Sequence, residues 1–201
     1  MTPLDLYTIL SLEYPSRVVE SVCCTDKECC KKGYCADKQV LPVLDFDEIK
    51  KDFYNGKNVT MPASVDAICV GNKQEHICFV ELKGWDSYIA HLKQQKKTPQ
   101  ETTAGYNLTG KLSDSQDLCK IITGDYDLFA HMPTTFILVT DIDVNNYGIE
   151  SFANTMFSLS GTGSDIYSEC LSNARKTLDS EIHINHYYVY CKQFDQLFST
   201  L

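Results

Sequence analysis

Asp66, Glu81 and Lys83 are of the types and at the spacing that could hydrolyse a phosphodiester with help from a divalent cation. Two carboxylates hold a hard cation such as Mg²⁺ or Mn²⁺ through oxygen. The cation polarises a phosphate oxygen and lowers the pKa of the water bound to it. An ammonium two residues beyond the second carboxylate can orient that water or stabilise the charge that develops. Leu82, between Glu81 and Lys83, turns its side chain away, but its backbone carbonyl could reach the metal.

Such chemistry requires elements that bring the three residues together. The segments ASVDAICV (63–70) and HICFVELK (76–83) are rich in Val, Ile, Cys and Phe, with the turn-like GNKQE between them, which predicts a β-hairpin. Alternate residues of a strand share a face. Pairing the apolar residues on one face sets Val70 opposite Ile77 and Ile68 opposite Phe79. Asp66 then falls opposite Glu81, and residues 71–76 form the loop. Two carboxylates facing each other at roughly 5 Å repel, so a cation or the Lys83 ammonium should sit between them.

Around the hairpin the periodicity predicts helices over 4–23, divided at Pro15, and over Leu44–Tyr54, ended by Asn55-Gly56. A helix from Gly84 to about Lys96 is followed by a polar stretch and by a helix over 111–123. The apolar run 134–142 suits a buried central strand. Two more helices are expected at 149–159 and 164–179, with a closing strand at 183–194. This order describes an α/β fold, a mixed central sheet flanked by helices.

The run Ser64-Val65-Asp66, followed by a hydrophobic strand ending in Glu81-Leu82-Lys83, resembles the PD-(D/E)XK phosphodiesterase superfamily, which includes restriction endonucleases and many repair and defence nucleases. The proline that often precedes the aspartate is displaced to Pro62. The resemblance spans residues 16–142 in element order and three residues in motif. It implies a restriction-endonuclease-like core and a metal-dependent nuclease acting on DNA or RNA, in restriction or phage defence. It also implies metal ligation by Asp66 and Glu81, with Lys83 catalytic. A further acid is expected on an early helix, Glu20 as first choice and Glu48 as second. A Lys or Gln is expected on the helix after the motif, with Gln94, Gln95 and Lys111 as candidates.

The rest of the chain sets bounds. At 201 residues it fits one nuclease-like domain, 1–201, with a Cys-rich insertion at about 23–38. The net charge of −9 counts against a dedicated nucleic-acid binder and favours, as the competing reading, an acidic non-catalytic protein of the same fold. That protein would be an inhibitor, immunity protein or subunit meeting a basic partner; as a nuclease, the chain would meet a nucleic-acid substrate and could work as a homodimer. No apolar run approaches membrane-spanning length and the N-terminus lacks a basic leader, so a cytoplasmic protein is expected. Five of the ten cysteines, Cys23, Cys24, Cys29, Cys30 and Cys35, form a cluster open to zinc, to disulfide or redox chemistry, or to no special role. The others read as small buried hydrophobes. His183 and His186 would lie on opposite faces of a strand, which suits a surface role.

Overall fold

The computed structural model describes residues 1–25, 41–84, 101, 105–140 and 166–201. Helix α1 (Pro3–Glu13) starts at a reciprocal cap, with the Asp5 N–H donating to Thr2 Oγ1 and the Thr2 N–H to Asp5 Oδ2. It stops before Pro15. The helix expected to resume at Ser16 does not form. Residues Pro15–Arg17 make a 3₁₀ turn, β1 (Val18–Val19) is a short strand, and Val22–Cys24 is a second 3₁₀ turn. The β-branched Val18 and Val19 pair instead with Leu44 and Val43, and this sheet partner overrides their weak helical pattern.

Strand β2 (Val43–Asp45) includes Leu44, so the helix expected from Leu44 begins two residues later, as α2 (Phe46–Tyr54). Asp45 caps it by accepting the Glu48 N–H at 3.1 Å. Strands β3 (Ala67–Val70) and β4 (Ile77–Lys83) form the expected hairpin, with Val70 opposite Ile77 and Ile68 opposite Phe79. Helix α3 (Leu108–Thr123) precedes β5 (Thr134–Thr140), and α4 (Ile166–Glu181) precedes β6 (Asn185–Tyr190). The strand expected to run to residue 194 ends at Tyr190. A 3₁₀ turn and α5 (Phe194–Phe198) follow, because Phe194, Phe198 and Leu201 recur at helical spacing and all bury. The helices expected beyond Gly84 to about Lys96 and at 149–159 lie outside the described residues.

Among the described residues, six strands form one mixed sheet in chain order. Neighbours from β1 to β4 are antiparallel, and β4, β5 and β6 are parallel. The fold is therefore α/β with a mixed sheet flanked by helices, as the sequence predicts. One face buries Ile68, Ile77, Phe79, Phe136 and Leu138 against Leu6 and Leu10 of α1, Ile49 of α2, Leu112 and Leu118 of α3, and Leu178 of α4. The other packs Val80, Ile137, Val139 and Val189 against Phe194 and Phe198 of α5 and Val22 of the second 3₁₀ turn. Alternation along β4 places Glu81 on the same side as Ile77 and Phe79, within the helix-covered layer. Among the described residues, no helix is long and apolar enough to cross a membrane.

Candidate active site

Asp66 immediately precedes β3, one residue outside the ladder that ends at Ala67 opposite Val80, and its carboxyl stands close enough to Glu81 for the two charges to repel. Its backbone is fixed on both sides. The N–H donates to the Val80 carbonyl at 3.1 Å, and the carbonyl accepts from the Phe46 N–H at 3.0 Å. Its Oδ2 accepts the Leu82 N–H at 2.7 Å, which crosses the hairpin at the level of the motif. Leu82 thus touches Asp66 through its amide.

Glu81 is fully buried. Its Oε1 accepts hydrogen bonds from both the Lys83 and Lys111 ammoniums, each at 2.5 Å. Among the described residues, its Oε2 is buried with no hydrogen-bond partner. One oxygen of this carboxylate is doubly charged-paired and the other has none, which is costly unless a further cation or donor completes it. Lys83 Nζ also stands 5.2 Å from the centre of the Tyr106 ring, in cation–π range. Burial works against the Lys83 ammonium, but the Glu81 and Asp66 carboxylates outweigh it and hold its pKa above the ordinary lysine value.

Asp66 is shifted the other way. Burial first, and the facing Glu81 carboxylate second, push its pKa up to about 7, against the pull of Lys111, the Leu82 N–H and Lys83. A carboxyl in this state binds a proton at mildly acidic pH and a cation once ionised.

Lys111 stands on α3, beyond the motif in sequence. Of the three candidates for a helix-borne partner, Lys111 lies among the described residues and its ammonium reaches Glu81, whereas Gln94 and Gln95 lie outside them. The same helix holds the segment that leads into Asp66. Asp114 Oδ2 accepts the Ala63 N–H at 2.9 Å, and the fully buried Ser115 accepts the Val65 N–H at 3.0 Å through Oγ. Ser64 Oγ, between them, donates to Asp47 Oδ1 at 2.8 Å. Neither Asp114 nor Ser115 was among the residues picked out from the sequence. The signal was a polar pair one turn beyond Lys111 in an otherwise amphipathic helix.

Asp66 and Leu82 line a cleft of about 640 Å³ that also takes in Asp45, Asp47, Glu48, Arg17 and Lys51. The cations in it are already engaged. Arg17 forms a two-pronged pair with Asp52 at 2.6 and 2.8 Å, and Lys51 reaches Asp47 at 2.9 Å and Glu48 at 2.6 Å. Burial weighs against the Asp47 carboxylate, yet hydrogen bonds from Lys50, Lys51 and Ser64 hold its pKa well below the usual range. Asp45 is pushed up, mainly by burial and then by Glu48 and Asp47, against the Glu48 N–H that it caps. Glu48, the second choice for an early acid, therefore faces the cleft. Glu20, the first choice, is exposed on the bend after β1, where its carbonyl accepts the Leu41 N–H, and it does not line the cleft.

Among the described residues, no group of three or more His, Cys, Asp or Glu side chains is arranged to hold a metal ion. Asp66 and Glu81 are two carboxylates, the number with which Mg²⁺ is commonly held when water and substrate phosphate complete its octahedron. The Oε2 of Glu81 fits such a group, being a buried lone-pair donor with no partner among the described residues.

In the Cys-rich segment, Cys23 is buried and disulfide-bonded, which leaves that sulfur no thiolate to offer zinc. Cys29, Cys30 and Cys35 lie outside the described residues. Cys69, Cys78, Cys119 and Cys191 are buried, as expected for small hydrophobes. His186 bonds Asp179 at 3.1 Å and the Ile184 carbonyl at 3.0 Å, and His183 is exposed.

No family model, curated protein or solved structure significantly matches the chain.

Proposed function

We propose that the chain is a Mg²⁺- or Mn²⁺-dependent phosphodiesterase of the nuclease type, resembling the PD-(D/E)XK superfamily, with DNA or RNA as substrate. The observation that carries this reading is the buried Glu81 carboxylate, close to Asp66, with two lysines on one oxygen and, among the described residues, no partner on the other. The cation would be held by Asp66 and Glu81, with the Leu82 carbonyl as a further oxygen, and would supply Lewis-acid activation of water and phosphate. Lys83 would then be released from part of its hold on Glu81 and would stabilise negative charge on the phosphate. Lys111 keeps Glu81 oriented from the side of α3. The Asp66 pKa of about 7 makes the cation compete with a proton, so activity should rise from mildly acidic to mildly alkaline pH. Of the early acids, Glu48 has the better position to join the site.

The test is a cleavage screen on plasmid DNA and on RNA, with and without Mn²⁺, using wild type, Asp66→Ala and Lys83→Ala. Metal-dependent cleavage by wild type alone supports the reading, and cleavage retained in both variants refutes it.

A second reading is favoured by the net charge of −9 and by the acidic lining of the cleft. The same fold would serve as a non-catalytic inhibitor, immunity protein or subunit, with Glu81, Lys83 and Lys111 a structural ion-pair cluster. Stoichiometric capture of a basic protein partner, unaffected by chelator, would favour it over the enzyme.

A further inference from the structure

Strand β3 begins at Ala67, so Ala63 and Val65 lie outside the sheet ladder and their N–H groups must find acceptors elsewhere. Both acceptors come from α3, through Asp114 and Ser115. Lys111, which holds Glu81, precedes them by three and four positions, so the three side chains share one face of the helix. One rigid element therefore grips both sides of the carboxylate pair. It holds β4 through the Lys111–Glu81 ion pair, and it holds the approach to Asp66 through two side-chain-to-backbone hydrogen bonds.

We infer that Asp114 and Ser115 are positioning residues that set where Asp66 stands relative to Glu81, and through that the affinity of the pair for a divalent cation. This rests on the proposed metal-dependent reading. The physical need is specific. The like carboxyls of Asp66 and Glu81 do not hold each other in place, and among the described residues the backbone hydrogen bond of Asp66 to β4 is its N–H to Val80. The segment 63–65 could then swing outward, and each binding event would have to re-order it. Ser115 is fully buried, and it accepts from a neighbouring segment rather than serving its own helix. Asp114 is a carboxylate used for its oxygen, because its partner is a neutral amide. An amide oxygen in its place should serve as well.

The experiment is calorimetric titration of Mn²⁺ into wild type, Ser115→Ala, Asp114→Ala and Asp114→Asn, with the melting temperature of each measured in chelator. Ser115→Ala and Asp114→Ala should each weaken Mn²⁺ binding roughly tenfold, the usual cost of losing a group that orients a metal ligand. Asp114→Asn keeps an acceptor for the Ala63 N–H and should stay within about twofold of wild type. The Asp114 pair decides the matter if Ser115→Ala fails to fold. Lowered melting temperatures with unchanged Mn²⁺ affinity would show a merely structural clamp and overturn the inference. Equal weakening by Asp114→Ala and Asp114→Asn would assign the effect to charge and overturn it too. Absence of Mn²⁺ binding by wild type overturns the metal reading itself, a result distinct from both of these.

Discussion

Replacing Asp66 with Asn should change how stability depends on pH, and the direction follows from the burial of its carboxyl. In the folded chain the group is held protonated up to about pH 7, against an ordinary value of 3.8 when exposed. Between those values the folded state binds a proton that the unfolded state has lost, so stability falls as pH rises. The stabilisation is fully present below the unfolded value and is lost as pH passes through about 7. Each pH unit in that window is worth about 1.4 kcal/mol. From about pH 5 to about pH 8 wild type should therefore lose roughly 2 kcal/mol more than the variant, allowing for partial exposure of the group. Asn keeps an oxygen that can accept the Leu82 N–H, so the hairpin contact survives the substitution. The assay is urea unfolding of both proteins in chelator across that range. Parallel pH dependences in wild type and Asp66→Asn would refute the argument, and would place the Asp66 carboxyl in water rather than against Glu81.

Lys111→Met keeps the aliphatic stem but leaves the buried Glu81 with Lys83 alone. It should cost about 1–3 kcal/mol by urea unfolding, and Glu81→Gln in the same background should recover part of it. Gly71→Ala should also destabilise. A Cβ there would meet the backbone carbon and oxygen of Leu201 at 2.8 Å, and relieving that contact should cost about 1–3 kcal/mol and be visible as a lower melting temperature.

The hairpin was legible because its faces are written in the alternation of residue types. Ile68, Val70, Ile77 and Phe79 must share a buried face, and that fixes the register of β3 on β4 and brings Asp66 to the Glu81 end of the hairpin. The segment around Val18 misled for the opposite reason. A short β-branched run carries too little periodicity to resist a nearby strand edge, and β2 is far away in sequence. The start of α2 is visible in part, since Asp45 precedes Glu48 at capping distance, but the apolar Leu44 extends the helical pattern back into β2. At the site, the types and spacing of Asp66, Glu81 and Lys83 pointed to one another directly. Lys111, Asp114 and Ser115 join them through the packing of α3 over the hairpin, a tertiary relation that no local spacing encodes. The exposure of Glu20 was hidden in the same way, because it follows from β1 forming where a helix was expected.

The central claim is that Asp66 and Glu81 together hold a divalent cation. Calorimetric titration of Mn²⁺ into wild type and into the Asp66→Ala/Glu81→Ala double variant tests it most directly. The account predicts saturable binding by wild type that vanishes in a double variant shown to be folded by circular dichroism. Binding of equal strength by both proteins, or none by wild type, would contradict it and leave Glu81 as the structural partner of Lys83 and Lys111.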